Sequence, residues 1–189
     1  MRVLGIAGSA RRDGNTDRLL AEVLRGAASK GAEVKTIALR DLKYIPCQAC
    51  GTCLKTGICQ YRDDMQTVYD ELERADRIVL ASPIHFMSVT AQMKAMIDRC
   101  QCFWARKYVL KVAPLGDDRP RQGFFVSVGG TRVKDLFEPA LRVVKTLFHV
   151  LDVEYAGELV FSGVDEKGEI SGQPEALRQA FDVGERLAV

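Results

Sequence analysis

Five short apolar runs alternate along this chain with longer stretches in which apolar residues recur every three or four positions. Val3, Leu4, Gly5, Ile6 and Ala7 form the first run. The others lie at 33–39 (Val34, Ile37, Leu39), 77–81 (Ile78, Val79, Leu80), 123–128 (Phe124, Phe125, Val126, Val128) and 154–161 (Leu159, Val160, Phe161). Several of these runs are unbroken, the mark of strands buried on both faces of a parallel sheet. Between them, Leu19, Leu20, Val23, Leu24, Ala27 and Ala28 fall on one helical face, as do Met65, Val68, Tyr69 and Leu72, then Met93, Met96, Ile97 and Cys100. Phe137, Leu141, Val144, Phe148 and Leu151 mark a further helix, with Pro139 in its first turn or at a kink, and 174–189 a closing one. His149 falls off the apolar face and is expected in solvent, and Cys100 in the core.

Strands alternating with helices predict an α/β fold, a doubly wound five-stranded parallel sheet with helices on both faces. Ligands of such sheets bind outside the carboxyl ends of the strands. Three loops stand there. The first, Gly8-Ser9-Ala10-Arg11-Arg12-Asp13-Gly14-Asn15-Thr16, joins strand to helix and suits a phosphate monoester, which the free N–H groups and positive dipole end of the helix would face. Ser9, Asn15 and Thr16 add donors and Arg11 a charge; alternatively the loop is only polar, with Asn or Thr as a helix cap. It matches neither the G-x-G-x-x-G pattern nor a P-loop. The second loop, Ser82-Pro83-Ile84-His85-Phe86-Met87-Ser88, is apolar and aromatic, fit to pack against a flat ring or simply to plug a helix end. The third, Gly129-Gly130-Thr131, permits close backbone approach or is an ordinary turn. With the polar loop after the first strand, the arrangement is flavodoxin-like.

A polar insertion interrupts this pattern. Cys47-Gln-Ala-Cys50-Gly-Thr-Cys53-Leu-Lys-Thr-Gly-Ile-Cys59 holds four of the six cysteines. Each C-x-x-C step is about one tight turn, and Gly57 allows a bend before the fourth. Four thiolates around one centre suit a [4Fe–4S] cluster; zinc, a redox disulfide and a loop that binds nothing are the other readings. Asp63 and Asp64 stand where the next helix begins and read as a cap, not as a catalytic pair. The mixed stretch 103–122, with Trp104, Arg106 and Lys107, reads as a surface excursion serving as a lid or a subunit contact.

Composition narrows the classes further. At 189 residues the chain reads as one domain, 1–189, able to bury a core without staples. Its 27 basic and 25 acidic residues leave a net charge of +2 with no long single-sign run, which sets nucleic acid aside as a partner. No apolar stretch reaches the length of a membrane span, so no membrane partner is expected. A reducing cytoplasm is the default expectation, and clustered cysteines there point to metal or redox chemistry.

Three motifs together resemble a known family. Gly8-Ser9-Ala10-Arg11 with Gly14-Asn15-Thr16 resembles the FMN phosphate loop G-S-x-R-x-x-G-N-T of the NADPH-dependent FMN reductase group. Ser82-Pro83-Ile84-His85-Phe86 with Lys94, Ile97, Asp98 and Arg99 is similar to its flavin loop and following helix, and C-x₂-C-x₂-C-x₅-C to the cluster motif of its iron–sulfur flavoprotein branch. His85 stands where Tyr is common and Ala10 where Pro is common. The resemblance implies that Ser9, Arg11, Gly14, Asn15 and Thr16 hold the FMN phosphate. It also implies that Pro83, Ile84, His85, Phe86 and Met87, with Gly129 and Gly130, hold the isoalloxazine, and that Cys47, Cys50, Cys53 and Cys59 ligate a [4Fe–4S] cluster. The implied activity is that of an FMN-dependent oxidoreductase in electron transfer. NAD(P)H or a ferredoxin would be the donor, a small molecule the oxidant, no side chain would act as acid or base, and the chain would form a homodimer or homotetramer. A cluster-free NAD(P)H-dependent FMN or quinone reductase is the alternative.

Overall fold

A computed structural model describes residues 1–113, 115 and 119–189. Five strands, β1 (Arg2–Ala7), β2 (Glu33–Ala38), β3 (Arg77–Ala81), β4 (Gln122–Gly129) and β5 (Glu154–Ser162), form one sheet in the order β2-β1-β3-β4-β5. Every pairing is parallel. The helices are α1 (Asn15–Ser29), the single turn α2 (Thr52–Thr56), α3 (Met65–Arg74), α4 (Ala91–Arg99), α5 (Gln101–Trp104), α6 (Glu138–Val150) and α7 (Pro174–Leu187).

Alternation along the strands feeds two cores. Leu4, Ile6, Ile78, Leu80 and Phe125 point to the side covered by α3, α4, α5 and α6. Val3, Ala7, Val79, Ala81, Phe124, Val126 and Val128 point to the side covered by α1 and α7. This two-sided burial is why the strand signals are unbroken. β2 is an edge strand and its Val34 is exposed; it stops at Ala38 because Leu39 opens a 3₁₀ turn, Leu39–Asp41, one residue earlier than the apolar pattern indicated.

Glycine sets the contact between α1 and α7. A Cβ built at Gly184 would lie 1.9 Å from the Val23 carbonyl oxygen, and one at Gly26 would lie 2.1 Å from that of Phe181. Each helix therefore lies backbone against backbone with the other, and α1 carries the first polar loop at its amino end. At the opposite edge of the sheet, buried Arg121 donates to the carbonyls of Leu72, Ala75 (2.9 Å) and Leu151 (2.7 Å). These carbonyls end α3 and α6, where a cation is favoured.

Pro139 sits in the first turn of α6, and His149 is exposed, as the pattern indicated. The 103–122 stretch continues α5 through a π-helical turn, Ala105–Val109, with Trp104, Tyr108, Val109, Leu110 and Val112 exposed. Pro114, Gly116, Asp117 and Asp118 of that excursion lie outside the described residues. Among the described residues no helix is long and apolar enough to cross a membrane.

Candidate functional site

The three loops at the carboxyl edge of the sheet meet in one cleft of about 180 Å³, walled by Ser9, Arg11, Gly14, Asn15 and Thr16 from the first loop. Pro83, Ile84 and His85 come from the second and Gly129 and Gly130 from the third. The amino end of α1 opens into it: Gly14 is the N-cap residue and no side chain caps the helix, which leaves its first N–H groups for a ligand. Thr16 is buried and its hydroxyl has no partner among the described residues. Ser9 folds the loop on itself, its Oγ accepting from the Arg11 N–H at 3.1 Å. An anion fits this donor set. Arg11 is exposed and donates to the Asp165 carbonyl at 3.1 Å, so its charge stands at the rim.

Several site residues carry different tasks from those their types implied. The Asn15 amide donates to the Glu166 carbonyl (2.9 Å) and accepts from the Ile170 N–H (3.2 Å), tying α1 to the segment after β5; it is a structural clamp. Phe86 and Met87 do not line the cleft. They occupy the two central positions of a tight turn, with φ of +49° and +63°, closed by reciprocal bonds between His85 and Ser88 at 2.9 and 3.0 Å. Such a turn favours Asn-Gly, so the Phe-Met pair is strained, and Phe86 is fully exposed at its tip. Conversely, Asp165 and Lys167 join the cleft wall from a segment whose sequence has no motif. Arg40 was also unmarked: it donates to the Ser9 carbonyl (3.1 Å) and pairs with Asp17 (2.9 Å), bracing the polar loop from behind.

A second and larger cavity, about 400 Å³, is walled by Cys47, Cys50, Cys53 and Cys59 together with Arg99 and Cys102. Two glycines make the loop possible. Gly51 (φ +77°) and Gly57 (φ +70°) bracket α2, which carries Cys53, and Gly57 donates back to the Cys53 carbonyl at 2.9 Å. All six cysteines are free thiols. Burial pushes the Cys53 thiol up, with Cys47 and Cys50 as further contributors, while the backbone N–H and hydroxyl of Thr52 draw exposed Cys50 down. Burial pushes Cys102 up to about 12.

Among the described residues no three His, Cys, Asp or Glu side chains converge on one ion. The four cysteines instead line one cavity of about 400 Å³, far larger than the ~10–15 Å³ that one water occupies. Its wall also holds a buried guanidinium, Arg99, whose Nε has no partner. Four thiols outside any disulfide are the donor set that a thiolate-bound cluster takes.

Asp63 is no simple cap. Burial alone would raise its carboxyl; two hydrogen bonds from Arg99, at 2.7 and 3.0 Å, hold it below the usual range. Asp64 accepts from the Lys43 N–H at 2.6 Å. The helix α4 links the two cavities: at its N-cap Thr90 donates to the Gly8 carbonyl (2.6 Å) beside the polar loop, and its last residue is Arg99. Nine residues at ~1.5 Å each make it about 13 Å long.

The model of the family described as NADPH-dependent FMN reductase matches residues 1–160. An iron–sulfur flavoprotein of Archaeoglobus fulgidus is 41% identical over 99 residues, which are 52% of this chain and 45% of that protein. One from Methanocaldococcus jannaschii is 35% identical over 149 residues, 78% of this chain and 71% of that protein. The chain spans about half to two thirds of the length of the first curated relatives it matches. Among solved structures, an NAD(P)H:quinone oxidoreductase from Methanothermobacter marburgensis superimposes with a TM-score of 0.75 at 16% identity, covering 100% of this chain and 96% of that one, a likeness of fold. With the family model matched from the first strand into the fifth, and a relative of that identity covered over most of its length, the chain belongs to the NADPH-dependent FMN reductase family, in its iron–sulfur flavoprotein branch.

Proposed function

We propose that the protein is an FMN-dependent oxidoreductase that passes electrons between a flavin in the first cleft and a [4Fe–4S] cluster in the cysteine chamber. The observation that carries this reading is the second cavity: Cys47, Cys50, Cys53 and Cys59 wall one space, none is in a disulfide, and Arg99 lines the same space. When bound, the flavin accepts two electrons and releases them singly, and the cluster carries one at a time.

The chain's own residues would bind and orient these groups. The open amino end of α1, the Thr16 hydroxyl and the rim charge of Arg11 receive the phosphate, with Ser9 and Gly14 shaping the loop and Asn15 anchoring it. Pro83, Ile84 and His85 face Gly129 and Gly130 across the cleft, and backbone there can approach a flat ring closely. Phe86 and Met87, outside the cleft wall, reach an isoalloxazine only from beyond its rim. No side chain is assigned a proton-transfer role.

At about 180 Å³ the cleft is smaller than the ~300–1,000 Å³ of ordinary ligand sites. The cleft of one chain is therefore too small to enclose a whole FMN, which supports a homodimer or homotetramer with a second copy over the part left open. NAD(P)H or a ferredoxin-like protein is the donor in this reading, a small molecule the oxidant, and the cytoplasm the compartment.

Iron, sulfide, zinc and FMN per chain, measured with a visible spectrum on protein purified without oxygen, test the proposal. About four iron and four sulfide beside one FMN are expected. FMN without iron overturns the cluster and leaves a nicotinamide-dependent flavin or quinone reductase. Cys53→Ala is expected to abolish the cluster absorbance while leaving FMN bound.

A further inference from the structure

Arg99 is the largest fully buried side chain of the described residues, and its charged end is committed at unusual places. Nη1 donates to the Ile45 carbonyl at 2.8 Å and to Asp63 at 2.7 Å; Nη2 donates to Asp63 at 3.0 Å and, at a long 3.5 Å, to the Tyr61 carbonyl. Ile45 lies two residues before Cys47 and Tyr61 two residues after Cys59. One guanidinium thus joins both shoulders of the cysteine loop. It is held from below in turn, since its own carbonyl accepts from the Tyr69 hydroxyl at 3.0 Å and from the Cys102 thiol at 3.6 Å.

The fifth donor is left over. Nε is buried and has no partner among the described residues, although more than about nine in ten buried polar groups find one. Arg99 thus ties both shoulders of the cysteine loop from a position that also lines the cavity of the four thiols, and it shares its charge with Asp63.

We propose that Arg99 is a positioning residue for the group held by Cys47, Cys50, Cys53 and Cys59: it closes the loop around that group and supplies the fixed positive charge that raises its reduction potential. The inference rests on the cluster reading above. Four thiolates give a cluster net negative charge and each added electron increases it, so a buried cation favours the reduced form. Asp63 offsets part of that charge from the outer side, which makes the pair a two-sided control on the potential.

The test uses the full chain, purified without oxygen and carrying iron, as wild type, Arg99→Gln, Arg99→Lys and Asp63→Asn. The readouts are the midpoint potential of the cluster and the rate of iron loss to EDTA. Arg99→Gln is expected to lower the potential and Asp63→Asn to raise it, each by about tenfold in the electron-binding equilibrium, ~59 mV for one electron. Arg99→Lys, which keeps the charge but cannot span both shoulders, should restore the potential while losing iron faster than wild type. A merely structural Arg99 would not move the potential in opposite directions in the two neutralised variants. Unchanged potentials, or shifts of the same sign, overturn the proposal. If Arg99→Gln does not fold, Arg99→Lys and Asp63→Asn still decide it, and an unmoved potential in Asp63→Asn refutes it. Wild-type protein free of iron overturns the cluster reading itself; iron present with potentials unmoved overturns only the role of Arg99.

Discussion

Replacing Gly184 by Ala should destabilise the protein, although Ala is the better helix former by ~1 kcal/mol. Gly184 lies in α7 against α1, and the added Cβ would stand 1.9 Å from the Val23 carbonyl oxygen and 2.8 Å from the Ala27 nitrogen. Ordinary contact begins near 3.4 Å, so the helices must part by more than 1 Å. The obstacle is backbone, which cannot swing aside as a side chain can. Parting forfeits about a quarter to a half of the dispersion attraction across the seam. The cost belongs at the upper end of the ~1–3 kcal/mol usual for overpacking, and subtracting the helix gain leaves ~2 kcal/mol. Urea unfolding of the apoprotein should show a lower midpoint with an unchanged slope, and Tm should fall by about 4–8 °C for a chain of this size. A rise in the midpoint would mean that propensity outweighs the seam and that the close approach of the two helices is wrong.

Further tests bear on the two sites. Thr16→Val removes an unpartnered hydroxyl, so apoprotein stability should hold while FMN affinity, read by flavin fluorescence, falls by about ten- to a hundredfold, as expected for one hydrogen bond to a charged group worth ~1.5–3 kcal/mol. Asn15→Ala breaks the bonds to Glu166 and Ile170 and strands a buried N–H; chemical denaturation should show a loss of about 2 kcal/mol. Replacing Phe86-Met87 by Asn-Gly relieves two left-handed residues and should raise the urea midpoint, and a fall would show that those side chains make stabilising contacts. Folding lowers the Asp63 carboxyl, so its contribution is complete above the unfolded value of 3.8 and is lost as pH falls through the lower folded value. Acid unfolding of Asp63→Asn should therefore lack the part of the wild-type slope below about pH 4.

The sheet and its cores were legible because strands buried on both faces must be apolar without interruption, and Val79, Leu80 and Ala81 can sit nowhere else. Loop positions at the carboxyl edge followed from the order of strand and helix. What could not be read was the direction in which a polar side chain spends its hydrogen bonds. Asn15 looked like a phosphate donor and its amide is spent on Glu166 and Ile170; Asp63 looked like a cap and, besides accepting from the Met65 N–H at 3.1 Å, holds a guanidinium 36 residues later in the chain. Phe86 has the composition of a ring-binding residue, yet the turn that carries it faces solvent. Lys167 and Arg40 gave no local signal, because they reach the polar loop through the fold. Arg99 was visible as part of a motif, but its burial and its hold on both loop shoulders exist only once α4 has packed against α3.

That long reach also orders events during synthesis. The four cysteines emerge well before the guanidinium that closes their loop, and Arg99 must wait for β3 and α4 to be made. Until then the thiols sit on an unclosed segment, open to stray oxidation and to adventitious metal. Under the proposed reading, loading of the chamber therefore follows the synthesis of α4, which itself precedes β4 and β5 in the chain.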